Sequence, residues 1–180
     1  RVGGGIIWLA GPTDSGHGAL DTGTTATING GCVIAVGDAG MAINFDSGTQ
    51  GSWLAATGNQ SAGTMLSLVD ADGNVLLSWT PEKEYACAVL SCAALTTGES
   101  YSVVCGGTLT GAEADANGFA QSGTVTGGTE AATTTLSTLQ SSDVAGMGGM
   151  GGMKGDRGDF TGTRPDGTAP TDESMTPPDG

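Results

Sequence analysis

Basic side chains are scarce in this 180-residue chain: five lysines and arginines stand against 19 acids, a formal charge of −14. So negative a surface repels phosphate, which excludes nucleic acid and anionic membranes as electrostatic partners and makes a cation the natural companion. Aromatics are few as well, at 4%, so each must be weighed as core or as contact surface. The single histidine, His17, sits in a glycine-rich loop with no serine or cysteine constellation around it, and so offers no nucleophile–base arrangement. The four cysteines, Cys32, Cys87, Cys92 and Cys105, form no C-x-x-C pair and have no histidine at metal spacing, which argues against zinc. No apolar run approaches the ~20 residues that span a bilayer, and no window sustains a helical period. No leader precedes Arg1, whose surroundings already read as strand, so the numbering is expected to begin inside a longer protein.

What the chain does have is glycine, 34 residues of it, with threonine, serine and short runs of valine, isoleucine and leucine. That mixture favours turns and pleated strands, an all-β fold. Gly4-Gly5-Ile6-Ile7-Trp8-Leu9-Ala10-Gly11 aligns with Gly30-Gly31-Cys32-Val33-Ile34-Ala35-Val36-Gly37, and a repeat in the twenties predicts stacked coils of a parallel β-helix over residues 1–46. Both copies are apolar on both parities, as in a parallel strand covered on each face. Two coils make a thin core, so further coils are expected upstream.

From residue 47 to 140 the pattern changes to separate strands, expected near 64–69, 75–80, 85–91, 100–105 and 132–139, in an antiparallel meander or small sandwich capping the coils. Asp70-Ala71-Asp72-Gly73-Asn74 reads as a tight hairpin, and it lacks the downstream glutamate of a calcium loop. Val75, Leu77 and Trp79 fall on one face of the strand that follows, which makes Trp79 structural. A symmetric turn about Thr96 would set Cys87 opposite Cys105 as a cross-strand disulfide. Residues 141–180, with Met147, Met150 and Met153 in glycine and then proline and charge, predict a flexible low-complexity tail. Within it the Gly-Met run reads as spacer, and Arg157-Gly158-Asp159 is too short a motif to carry a function.

Chemistry is sparse. Lys83 is the only basic side chain between Val2 and Met153, and its flanking Glu82 and Glu84 should hold it as a paired surface charge, so no base is visible for lyase chemistry. Asp14, Asp21 and Asp38 flank the two coil strands, where stacking would bring carboxylates onto one rim as calcium ligands; the alternative is that each caps a turn. Trp53, with Gly48-Thr49-Gln50-Gly51-Ser52 before it, is the candidate exposed platform for a sugar ring. Trp8 is the weaker one because its repeat partner is Ile34.

Gly18-Ala19-Leu20-Asp21, the Ile28-Asn29-Gly30-Gly31 turn, Val36-Gly37-Asp38-Ala39-Gly40-Met41-Ala42, Asp70-Ala71-Asp72-Gly73-Asn74 and the Gly-Met tail occur in an order that resembles the C-terminal half of a bacterial carbohydrate-binding β-helix family, that of a clostridial cell-surface protein. The resemblance spans roughly Gly4 to Met153. It implies a right-handed parallel β-helix, bound Ca2+, and binding of plant cell-wall polysaccharide such as polygalacturonate or cellulose. Cys87, Cys92 and Cys105 depart from it, where small polar residues or proline would be more usual. The expectation is an extracellular or cell-surface binder without catalytic activity, set against a structural or adhesive stalk and against a calcium-dependent lyase whose base lies upstream.

Overall fold

The computed structural model describes residues 1–14 and 16–144, and these form strands without a helix. In chain order they are β1 (Val2–Ala10), β2 (Thr27–Gly37), β3 (Ser47–Gly48), β4 (Ser52–Gln60), β5 (Leu66–Asp70), β6 (Val75–Trp79), β7 (Tyr85–Ser91), β8 (Ser100–Cys105), β9 (Thr108–Thr110), β10 (Thr124–Thr126), β11 (Thr129–Thr135) and β12 (Gln140–Ser142). One sheet runs β1-β2-β7-β4-β12 with β3 alongside β2, a second runs β11-β8-β5-β6, and β9 and β10 form a small ribbon.

The internal repeat becomes a pair of parallel neighbours. Ile6 lies beside Cys32, Ile7 beside Val33 and Trp8 beside Ile34, which is the alignment of the two sequence copies. The paired glycines ahead of each apolar run have a steric reason: Gly31 adopts φ +96°, and a Cβ there would stand 2.7 Å from the Gly5 carbonyl oxygen. Stacking does not propagate into a parallel β-helix among the described residues. The other edge of β2 is taken by antiparallel β7, from Val33 opposite Ser91 to Gly37 opposite Cys87. Beyond β1, only the two-residue β3 pairs with β2 in parallel. The all-β expectation holds; the sheets are open, and the coil architecture expected for 1–46 is replaced by a mixed sheet. Because β2 and β7 are adjacent in it, residue 46 does not divide two cores.

Alternation along the strands then builds two layers of core. Ile34, Val36, Trp53, Ala55, Ala88 and Leu90 of the first sheet pack against Leu66, Leu68, Leu77, Tyr101 and Val103 of the second. On the opposite face Val33, Ala35, Leu54, Cys87 and Val89 pack with Ala19, Ala26, Ala42 and Phe45 from the connections flanking β2. So β2 is covered on both faces, as its double apolar parity requires. The edge strand β1 is not, and Ile6, Ile7, Trp8 and Leu9 are exposed.

The expected β5–β6 hairpin forms. Gly73 has φ +82°, and Asp70 Oδ1 accepts from the amides of Asp72 and Asn74 at 3.0 and 2.8 Å. The simple meander does not form. After the Leu95–Gly98 turn β8 joins β5 and β11 in the second sheet instead of doubling back on β7, which already has β2 and β4 as neighbours. Cys87 and Cys105 therefore belong to different core layers, and the expected bridge between them is not possible. Residues 141–144 are part of the fold rather than tail, through β12 beside β4; the rest of the expected tail, with its methionines and Arg157-Gly158-Asp159, lies outside the described residues.

Candidate functional site

Trp53 is not a surface platform. It is fully buried at the centre of the first sheet, and its indole N–H donates to Asp143 Oδ2 at 2.7 Å. The three aspartates do not gather either. Asp14 and Asp21 are exposed and Asp38 is half-buried. Asp14 Oδ1 accepts from the Gly16 amide at 3.1 Å and lies 3.5 Å from His17 Nδ1. Asp38 Oδ1 accepts from the Gly40 amide at 2.7 Å. These are Asx turns, in which the carboxylate substitutes for a backbone acceptor. Asp38 also lines a polar cleft of about 230 Å³ with Thr13, Asn59, Gln60 and Glu84. Among the described residues no three carboxylate, histidine or cysteine side chains converge as a metal site. Asp14, Asp21 and Asp38 are thus not gathered into one carboxylate cluster, and Ca2+ also takes backbone, amide and water oxygens.

The surface that gathers aromatic and polar groups is elsewhere. A groove of about 420 Å³ runs between β1 and the end of β6, lined by Trp8, Trp79, Glu82, Lys83 and Asn117 among others. Each wall has a local cause. As part of an edge strand, Trp8 remains 37% exposed, and its ring stacks on Phe119 with centroids 6.2 Å apart and planes 24° off parallel. Trp79 ends β6 on the buried parity shared with Val75 and Leu77, and its N–H donates to the Asn117 carbonyl at 3.1 Å. Trp79 thereby lines the groove while only 6% exposed. Lys83 reaches across, its Nζ 3.4 Å from the carbonyl oxygens of Ala10 and Gly11, instead of pairing with the flanking glutamates.

The third wall is held by a carboxylate. Asp115 Oδ1 accepts from the amides of Asn117 and Phe119 at 2.8 and 3.0 Å, and the Gly118 amide donates to the Asp115 carbonyl at 2.9 Å. Those amide bonds, that from Phe119 foremost, hold the Asp115 carboxyl below its ordinary value. The turn is anchored to β6 by reciprocal 2.8 Å bonds between Ser78 and Ala120. Asp115 thus sets the position of both Phe119, which backs Trp8, and Asn117, which holds Trp79.

The sequence signal for this site was there but pointed the wrong way. Trp8 and Ile34 are equivalent in the repeat, yet Ile34 has a strand on each side and Trp8 on only one. Trp53 looked exposed because its neighbours are small and polar; they are small because β4 is enclosed. Comparison with protein-family models, with curated proteins and with solved structures returned no match.

Proposed function

We propose that the protein binds a plant cell-wall polysaccharide, polygalacturonate or cellulose, in the Trp8–Trp79 groove, outside the cell or on its surface and without catalysis. The exposed indole of Trp8, backed by Phe119, carries the reading. A flat π-face supports the apolar C–H face of a sugar ring, while Asn117, Glu82, Thr80 and Lys83 supply donors and acceptors for its hydroxyls. Lys83 also provides positive charge on a strongly acidic chain, suited to a uronate carboxylate.

Absence of turnover is supported by the same lining. Glycoside hydrolysis uses two carboxyl groups about 5–9.5 Å apart; among the described residues Glu82 is the one carboxylate lining the groove, and Asp115 behind it is taken up by the amides of its own turn. A lyase needs a base free to reach the substrate, whereas the Lys83 Nζ is engaged by the carbonyl oxygens of Ala10 and Gly11.

Calcium belongs to the proposal for the acidic polymer. A chain of net charge −14 and a polyuronate repel on contact, and a Ca2+ ion coordinated by both removes the penalty. Such an ion is shared with the polymer, because Asp14, Asp21 and Asp38 do not converge. The β-helix of the resembling family competes with the groove: further coils of the same repeat on the outer edge of β1, with its four exposed apolar side chains, would give Trp8 a second neighbouring strand, as Ile34 has. That edge equally supports the second reading, an adhesive or structural stalk with a protein partner.

Retention on immobilised polygalacturonate and on cellulose, with calcium or with EDTA, tests the proposal. Binding to either polymer with no ultraviolet-absorbing unsaturated product supports it. Retention on neither polymer with calcium present overturns it in favour of the stalk, and accumulation of product overturns the absence of catalysis.

A further inference from the structure

We infer that Cys32 and Cys92 form a disulfide across β2 and β7. The register sets Val33 opposite Ser91, and one step further in the same antiparallel alignment sets Cys32 opposite Cys92. Both belong to the face that looks into the core between the sheets. Cys92 is part of that core and Cys32 packs against it, with Ile34, Val36, Ala88 and Leu90 on the same parity.

Hydrogen-bond parity makes the position suitable. The Val36 carbonyl accepts from the Gly11 amide at 2.8 Å, so Val36 directs its backbone away from β7, and with a period of two so do Ile34 and Cys32. The far side of β7 agrees. The Ser52 amide donates to Leu139 and the Leu54 carbonyl accepts from Asp143, so these two residues face β12 and leave Ser91 and Val89 to bond β2. Cys32 and Cys92 therefore occupy a non-hydrogen-bonded pair, where facing Cα atoms come to about 4.5 Å and side chains are closest. A disulfide accepts Cα separations of roughly 4.4–6.8 Å.

The other two thiols have different surroundings. Cys87 faces the opposite core layer and donates to the carbonyls of Gly37 and Asp38 at 3.5 and 3.3 Å. Cys105 sits 3.8 Å from the Tyr85 hydroxyl. Burial raises the Cys32 and Cys92 thiols above their ordinary value, so few thiolates are present at neutral pH once the core has closed. Bridging accordingly belongs to folding, and the bond is structural rather than a switch. A small disulfide such as oxidised glutathione serves as the oxidant. The thiolate of one cysteine attacks it, releasing one small thiol; the other cysteine, losing its proton, attacks the mixed disulfide and releases a second, so the two electrons end on the small thiols.

The test refolds the full chain from reduced denatured protein in a glutathione redox buffer, blocks remaining thiols with an alkylating reagent in denaturant, and counts them by mass. The expected result is two blocked thiols, a Cys32–Cys92 linked peptide in tandem mass spectra, and a melting temperature about 10 °C above that of the reduced chain, from closing a loop of about 60 residues. Cys32→Ala and Cys92→Ala should each leave three blocked thiols and no linked peptide, while Cys87→Ala keeps the bridge. Four blocked thiols in the unsubstituted chain, or a bridge that includes Cys87 or Cys105, would overturn the assignment.

Discussion

The indole N–H of Trp53 is bonded to the Asp143 carboxylate at 2.7 Å, a contact that ties the interior of the first sheet to the residue just beyond its last strand. Asp143 also donates its own amide to the Leu54 carbonyl at 2.9 Å, and Asn44 Nδ2 donates to the Ser141 carbonyl at 2.7 Å. The short β12 is thus fastened at its middle and just beyond its C-terminal end.

Asp143→Ala should destabilise the fold by about 1–3 kcal/mol, since it leaves a buried indole N–H without an acceptor. A chain ending at Leu139 should melt below one ending at Val144. Urea unfolding of the two truncations and of the point variant checks this; equal midpoints would mean that β12 contributes nothing.

Trp79→Ala should cost about 3–5 kcal/mol, the range for a large buried aromatic, because Trp79 is 6% exposed. Trp8→Ala should cost under about 1 kcal/mol, as a partly exposed side chain on an edge strand. Denaturation of both variants separates the core tryptophan from the surface one, and similar losses in both would contradict their different burial.

Binding should weaken in acid through Asp115. Its folded carboxyl lies below the ordinary 3.8 because the amides of Phe119 and Asn117 bond the charged form. The turn's contribution is therefore complete above that ordinary value and is lost as pH falls below it through the lowered folded value. With a neutral cello-oligosaccharide, so that the ligand does not titrate, affinity should hold at pH 6 and fall below about pH 4. Asp115→Asn should flatten that dependence, and an unchanged profile in this variant would remove Asp115 as the positioning group.

Strands with a strong local signature were legible in the sequence. The Asp70–Asn74 turn and the alternation of Val75, Leu77 and Trp79 define their hairpin within a few residues, and the repeat of Ile6–Ala10 in Cys32–Val36 defines a parallel pair. What the chain did not reveal is long-range pairing. Nothing near Val33 indicates that Ser91 lies opposite it, and the Leu95–Gly98 turn by itself suggests β8 as the neighbour of β7. β4 has a weak local signature because its apolar Trp53-Leu54-Ala55 is framed by glycine, serine and glutamine. The groove depends on such pairings: Trp8, Trp79 and Asn117 are far apart in sequence and meet only because β1 is an edge and the Asp115 turn packs on β6.

Polysaccharide binding is proposed for the Trp8 groove. Isothermal titration of the protein and of Trp8→Ala with galacturonate and cellulose oligomers, in calcium, tests it most directly. At least one oligomer should bind with measurable affinity, and Trp8→Ala should lose roughly tenfold or more, in keeping with the ~1–3 kcal/mol of an aromatic stacking contact with other ring ligands, while its melting temperature falls by no more than about 4 °C. Equal affinity in the two proteins would contradict it.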